Sequence, residues 1–375
     1  MSNVFSRMKI GMRKIFSRFR SGELKARIAD LRYTLHLFRR NPLVIIGSII
    51  SIFFIVIALT ANFIVNPATA NVFHFSDSYT WNNPYFSWGP GTETTTTPPI
   101  HWLGTDGYGR DLLQMIILAI PLDIYLAFLI TFGAIAIGVS IGAIAGYMGG
   151  VVDEAILRIT DIFFAFPWLL LALVFAAIFG RTIITLAIAV LLVWWPTYVR
   201  LVRGQVLSEK QKTYVEALTA LGAGSPPATL YTIREHANNV SGRLVNLGRH
   251  NRVIVKSTKL LDRVGNGAID EVAVLTGHLR VLFRHILPNS IYPILVQATL
   301  DLGGVILTFS ALMFLGFSPS PALPELGNLA SDGISHVFTA PWLIVFPGLT
   351  ILIIALAFNL VGDGLRDVLD PRLRR

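Results

Sequence analysis

The hydrophobic pattern is a series of long apolar runs separated by short polar joints. Runs from about Leu43 to Val65, Leu122 to Tyr147, Ile159 to Phe179, a fourth ending near Val202, Ile291 to Phe317 and Trp342 to Leu360 each reach the roughly 20 residues that cross a bilayer core as helix. One stretch departs from this pattern. In Thr213–Gly224, TYVEALTALGAG, residues Tyr214, Ala217, Leu218 and Leu221 recur at i, i+3, i+4, i+7, the face of one amphipathic helix. Gly222 stands where a helix stop favours a residue without a Cβ, and Pro226-Pro227 forbid continuation. Such a helix rests on a membrane, on its own protein, or on a separate partner, and its surroundings decide which.

Composition settles the class. Of 375 residues 53% are hydrophobic and only 14% charged, with mean hydropathy +0.62, whereas soluble domains carry about a quarter charged residues. The expectation is an all-α membrane protein with six transmembrane helices. The absence of cysteine excludes disulfides, thiolate metal sites and thiol nucleophiles.

The net charge of +9 is unevenly distributed. Residues 1–41 hold Arg7, Lys9, Arg13, Lys14, Arg18, Arg20, Lys25, Arg27, Arg32, Arg39 and Arg40 against Glu23 and Asp30. Beside a span, this reads as a cytoplasmic tail lying on anionic membrane lipid rather than as an arm for nucleic acid. The run 43–65 is longer than the apolar core of a signal peptide. Residues 66–109 contain no Lys or Arg, so the N-terminus is expected in the cytoplasm and this loop outside. Its aromatics Trp81, Tyr85, Trp88 and Trp102 either sit at the outer interface or pack the loop.

Within 66–121, the extracytoplasmic loop and the helix leading into the second span, HWLGTDGYGRDLL is glycine-rich and charged. It lacks the strand–loop–helix context of a phosphate loop, so a structural turn is expected, with Asp106, Arg110 and Asp111 able to pair. Gly138, Gly142, Gly146 and Gly150 recur every fourth residue and let another helix approach closely. Pro167 should kink the third span. Arg200 and Arg203 mark a cytoplasmic end, Ser318–Ala340 is proline-rich and expected outside, and Arg366, Arg372, Arg374 and Arg375 place the C-terminus inside. Both termini are thus expected to be cytoplasmic, as is Thr213–Pro288.

FRRNPL, HWLGTDGYGRDLL, GYMGGVVDE, DIFFAFP, YVEALTALGAG and RHILPNS stand in an order that resembles the inner-membrane permease subunits of ATP-binding-cassette importers. The likeness is to the second, C-type permease of the dipeptide/oligopeptide/nickel class and covers roughly residues 36–224 and 278–373. It implies a type I importer permease fold, and a cytoplasmic coupling loop docking in a groove of an ATPase subunit. In that loop Tyr214, Glu216, Ala217, Leu218, Leu221 and Gly222 form the first half, with Leu218 where the family has alanine. His285, Leu287 and Pro288 form the second half, with His285 at an isoleucine position. The partners implied are a homologous second permease forming a heterodimer, two ATPase subunits and an extracellular solute-binding protein. Short peptides are the implied substrate class, with oligosaccharides or nickel carried by related systems. No cofactor and no metal is expected on this chain.

Two departures stand out. Gly222 and Pro288 are 66 residues apart, and joining Gly224 to His278 restores the family register, which implies a cytoplasmic insertion at 225–277. The chain thus divides into the tail 1–41, the span 43–65, the segment 66–121, spans two to four with the first coupling half over 122–224, the insertion, and 278–375 with the second coupling half and the last two spans. Family members often carry an acidic residue at the position of Phe309; here Asp301 is the carboxylate of the fifth span.

An enzyme is the other class to weigh. No GxxxxGK[ST] occurs, so ATP chemistry falls to another chain. An ion-coupled secondary transporter would want several midplane ionisable groups; Asp301 is the one candidate, since Asp123 and Asp161 sit near span ends.

Overall fold

The computed structural model describes residues 41–65, 102–106, 110–213, 215, 282 and 286–369. Among them the regular structure is helical. α1 spans Pro42–Ile64, α2 Leu112–Met148, α3 Gly150–Phe164, α4 Trp168–Phe179 and α5 Ile183–Lys210. α6 spans Ile291–Leu312, α7 Leu326–Asp332 and α8 Trp342–Leu369. Five helical segments are long and apolar enough to cross a membrane, and α3 with α4 makes six if that broken pair is one span.

Local chemistry sets the ends. Asn41 caps α1, its Oδ1 accepting from Leu43 N at 3.1 Å, and Pro42 occupies the first turn, where its missing N–H costs nothing. α2 begins at Leu112, ten residues before the apolar run read from sequence, and continues through Pro121. Asp111 starts it by accepting from Gln114 N at 3.0 Å. Gly149 and Gly150 take φ of 68° and 58° between α2 and α3, a conformation that costs other residues a Cβ clash. Gly150 therefore belongs to this turn and leaves the ladder. Pro167, at φ −56° and ψ 126°, ends the run that sequence treats as one kinked span, and α4 starts at Trp168. α8 carries the GDG sequence inside its helix and extends to Leu369.

The chain forms two compact units. The first holds α1, α2 to Gly133, α4, α5 to Trp194, and the chain from Leu295 through α8. Its core joins Phe54, Leu112, Ile120, Ile130, Leu186, Val190, Ile306, Phe309, Leu326, Leu343 and Phe358. α1 and α8 meet at small residues: a Cβ on Gly47 would lie 2.6 Å from Leu360 Cβ, and one on Gly364 would overlap Val44. The opposite face of α1 leaves Ile49, Ile52, Leu59 and Phe63 exposed, Leu59 at 74% and Phe63 at 90%. A helix with this much outward apolar surface, its backbone satisfied internally, suits hydrocarbon as solvent.

The first unit also contains a buried segment within the stretch that sequence reads as proline-rich and outside. α6 ends in a π-turn, Met313–Phe317, broken at Gly316 with φ 88°. Arg181 of the Gly180–Thr182 turn donates to Gly316 O and stacks over Phe317 at 5.4 Å. Further on, Leu326, Gly327, Asn328, Leu329 and Ala330 of α7 are all buried. The Asn328 amide donates to the carbonyls of Ser320, Pro321 and Leu323.

The second unit is Ala134–Phe166 with Trp195–Ile294. The glycine ladder packs α2 on α5 here. A Cβ on Gly138 would overlap Tyr198, one on Gly142 would lie 2.5 Å from Val199 O, and one on Gly146 2.9 Å from Arg203 O. Lipid gives helices little hydrophobic reason to associate, so contact rests on this backbone approach. Gly142→Val is expected to force the helices apart and destabilise the protein by about 1–3 kcal/mol. Gly204→Ala, at a position with open space, should leave the thermal midpoint in detergent unchanged.

Candidate functional site

The segment expected to couple to an ATPase begins where α5 ends, and the described residues show what holds that end. Lys210 Nζ donates to Tyr147 O at 2.9 Å, satisfying a carbonyl at the C-terminus of α2, and lies over the Tyr147 ring at 5.3 Å. Buried Glu209 pairs with Lys212 at 2.5 Å, and Val215 N closes a turn onto Lys212 O. Val215, Leu282 and Ile286 are all buried. Leu287 is half-buried and Pro288 exposed, in a single turn that precedes α6. Ser290 closes that turn through N and Oγ, both donating to Ile286 O. Tyr214, Glu216, Ala217, Leu218, Leu221, Gly222, His285 and the insertion 225–277 lie outside the described residues.

Two ion pairs brace α3 against α5 in the same unit. Arg203 holds Asp153 through two hydrogen bonds, at 2.5 and 2.7 Å, in a partly buried site. About two turns farther along α3, Arg200 pairs with Asp161 while its guanidinium stacks on Phe164 at 4.1 Å. A planar guanidinium suits both the fork and the stack, which a lysine could not reproduce. Sequence marks these arginines only as a cytoplasmic end. Their acidic partners are 50 and 39 residues away, so spacing carries no hint of the pairing.

The first unit has its own polar cluster, built on the glycine-rich turn. Buried Arg110 pairs with Asp106 at 2.5 Å and approaches Asp332 of α7 at 3.7 Å. The backbones of Asp106 and Arg110 are also joined, and Trp342 Nε1 donates to Thr105 O at 3.2 Å. The turn thereby fixes the start of α2 to α7 and α8, and Asp111 also caps α2. Burial, with Asp106 nearby, lifts the Asp332 carboxyl to about 6 despite Arg110.

At the other end of α7, Glu325 is fully buried and accepts from Asn328 N at 2.7 Å. Burial pushes its carboxyl up to about 7, against the opposing pull of the Asn328 and Gly327 amides. Asp123 of α2, 2% exposed, accepts from Leu326 N at 3.3 Å. Sequence reasoning places Asp123 merely near a span end and passes over Glu325. The PALPEL context offers a cap residue but no sign of burial. Asp301 is 9% exposed and accepts from Gln297 one turn earlier on α6, at 2.9 Å. Phe309 is buried in the core of the first unit.

Several outward-facing apolar helices, short polar turns and ion-paired helix ends define a multi-pass membrane protein. Comparison with known proteins sharpens the class: the family described as binding-protein-dependent transport system inner membrane component matches residues 138–234 and 275–375. The N-terminal transmembrane domain of oligopeptide transport permease C matches residues 31–84. The chain belongs to this family, the inner-membrane permeases of binding-protein-dependent ATP-binding-cassette importers. It is 34% identical over 337 residues to the dipeptide transport system permease protein DppC of Alkalihalophilus pseudofirmus, covering 90% of this chain and 88% of that one. DppC of Haemophilus influenzae is 35% identical over 74% of this chain and 76% of its own. The glutathione transport system permease protein GsiD of Pectobacterium atrosepticum is 34% identical over 73% of each chain.

Asp153→Ala should break the brace between α3 and α5 and lower stability by about 1–2 kcal/mol, a value reduced by its partial exposure. Arg203→Ala should cost a similar amount, and the double variant less than the sum. Thermal midpoints of the four proteins in one detergent measure that coupling.

Proposed function

We propose that this chain forms half of the translocation pathway of an importer for short peptides, pairing with a homologous second permease. Two ATPase subunits bind the cytoplasmic face, where both termini also lie, and an extracellular solute-binding protein delivers the substrate. Family membership and the dipeptide and glutathione transport permeases among its relatives support this reading. Glutathione is itself a short peptide, so both names point to one substrate class.

The observation that carries the coupling role is the bracing of α5. Tyr214, Glu216, Ala217, Leu218, Leu221 and Gly222 directly follow a helix end pinned to α2 by Lys210 and to α3 by Arg203 and Arg200. Leu287 and Pro288, at the second coupling half, lead directly into α6. A push on the coupling segment from an ATPase is passed to several helices as one body instead of being absorbed in a loose joint. ATP-driven closure of the ATPases then tilts the spans between inward- and outward-facing states.

The complete transporter, reconstituted with its binding protein, is the test. Dipeptides or tripeptides should stimulate ATP hydrolysis and be accumulated. Gly222→Val, which puts a β-branched residue at the helix stop, should leave assembly intact while uncoupling hydrolysis from uptake. Uptake without any ATPase subunit, or normal coupling in the variant, overturns the reading.

The match of the transport family breaks between residues 234 and 275, which supports an insertion inside the coupling loop. Its basic residues Arg234, Arg243, Arg249, Arg252, Lys256, Lys259 and Arg263 outnumber Glu235, Asp262, Asp270 and Glu271, suiting an acidic face of the ATPase or anionic lipid. Deleting Ser225–Gly277 should preserve assembly and change the ratio of ATP hydrolysed to substrate moved; an unchanged ratio identifies a passive surface loop.

A further inference from the structure

The contact between α2 and the start of α7 contains two carboxyl groups that lack enough donors. Asp123 Oδ2 accepts from Leu326 N, and Glu325 Oε2 accepts from Asn328 N. The remaining oxygens, Asp123 Oδ1 and Glu325 Oε1, are both buried and make no hydrogen bond of normal geometry among the described residues, although the Gly327 amide and the Ser310 hydroxyl lie near Glu325. Asp123 reaches the backbone of Leu326, the residue next to Glu325, so the two carboxyl groups are neighbours. Two ionised carboxylates at this distance, shielded from water, repel strongly, whereas one proton between them satisfies both open oxygens. We propose that Asp123 and Glu325 form a proton-binding latch: a proton held between Asp123 Oδ1 and Glu325 Oε1 fastens α7 into its socket, and its loss loosens the helix.

Among the described residues, no base next to the pair neutralises it. The Ser310 hydroxyl of α6, 3% exposed, lies beside Glu325 and is the neutral polar group on that side. The π-turn Met313–Phe317 carries no ionisable side chain, and α8 carries none before Asp363. Arg110, Asp106 and Asp332 form their own cluster at the far end of α7, and His336 lies on the turn beyond. The socket is tight enough to make the latch consequential. A Cβ on Gly327 would overlap the Ser310 backbone, so α7 sits against α6 at backbone contact.

The sign follows from linkage. The elevated Glu325 value means that the closed state binds the proton more tightly than an opened state, where the carboxyl returns towards 4.5. The latch is therefore fully set below that value and is lost as pH rises through about 7.

The chain has no cysteine, so a thiol introduced by Ala330→Cys, at a buried position of α7, reports opening by its rate of maleimide labelling. Measurements use the full transporter in nanodiscs, with labelling read on this chain. Phe338→Cys, at a 98% exposed position, supplies the reference for the intrinsic pH dependence of the thiol. Normalised labelling should rise as pH rises towards about 7, by up to roughly tenfold per pH unit where one proton is released, and level off above it. Glu325→Gln and Asp123→Asn each supply an amide donor to the opposing carboxylate, so each should hold labelling low and flat over the same rise in pH. Hydrogen exchange of the Leu326–Ala330 amides, corrected for intrinsic rates, is the second measurement and should follow the same pattern. A pH-independent parent, or amide variants that keep the parent's dependence, overturns the latch.

Discussion

Hydrocarbon offers helices no reward for hiding apolar side chains from it, and the structure follows from that constraint. Helices here meet where side chains are small enough for backbones to touch, as Gly138, Gly142 and Gly146 do against α5 and Gly47 does against α8. Each approach removes a side chain and gains dispersion contact along the seam. Large apolar residues are left for the lipid side, so Leu59 and Phe63 point outward from α1. The same solvent forbids unpaired backbone, which is why irregular stretches are fastened by side chains with several donors. Asn328 supports three carbonyls of the segment before α7, and Arg181 supports the broken end of α6.

Charge is used sparingly and in pairs. In the second unit the arginines of α5 meet acids of α3 and brace the helix that leads into Thr213–Gly224. In the first unit Arg110 answers Asp106 and Asp332, whereas Asp123 and Glu325 lie close together with no cation beside them among the described residues. These arrangements serve different ends. A paired guanidinium transmits displacement without changing its own state, and a carboxyl pair without a cation responds to proton concentration. A permease can use the first to couple its spans to an ATPase; the second gives α7 a condition under which it stays closed.

Much of this was legible in the residues. Span-length apolar runs, the cap at Asn41-Pro42 and the glycine spacing on α2 follow from local chemistry that acts within a few turns, so they can be read without neighbours. The amphipathic face of Thr213–Gly224 and the order of the family motifs led to the permease class for the same reason: both are patterns along the chain. Other features required the third dimension. The break at Pro167 divides one apolar run into two helices, a choice between kinking and breaking that the surrounding packing makes. α7 lies in a proline-rich stretch of weak periodicity, and its burial depends on partners from α2, α6 and α8. The Asp153–Arg203 and Asp123–Glu325 contacts join residues 50 and 202 positions apart. Hydropathy and capping rules operate over a few residues, whereas the energy of a buried charge is set by whichever groups folding brings beside it, and only the tertiary structure decides those.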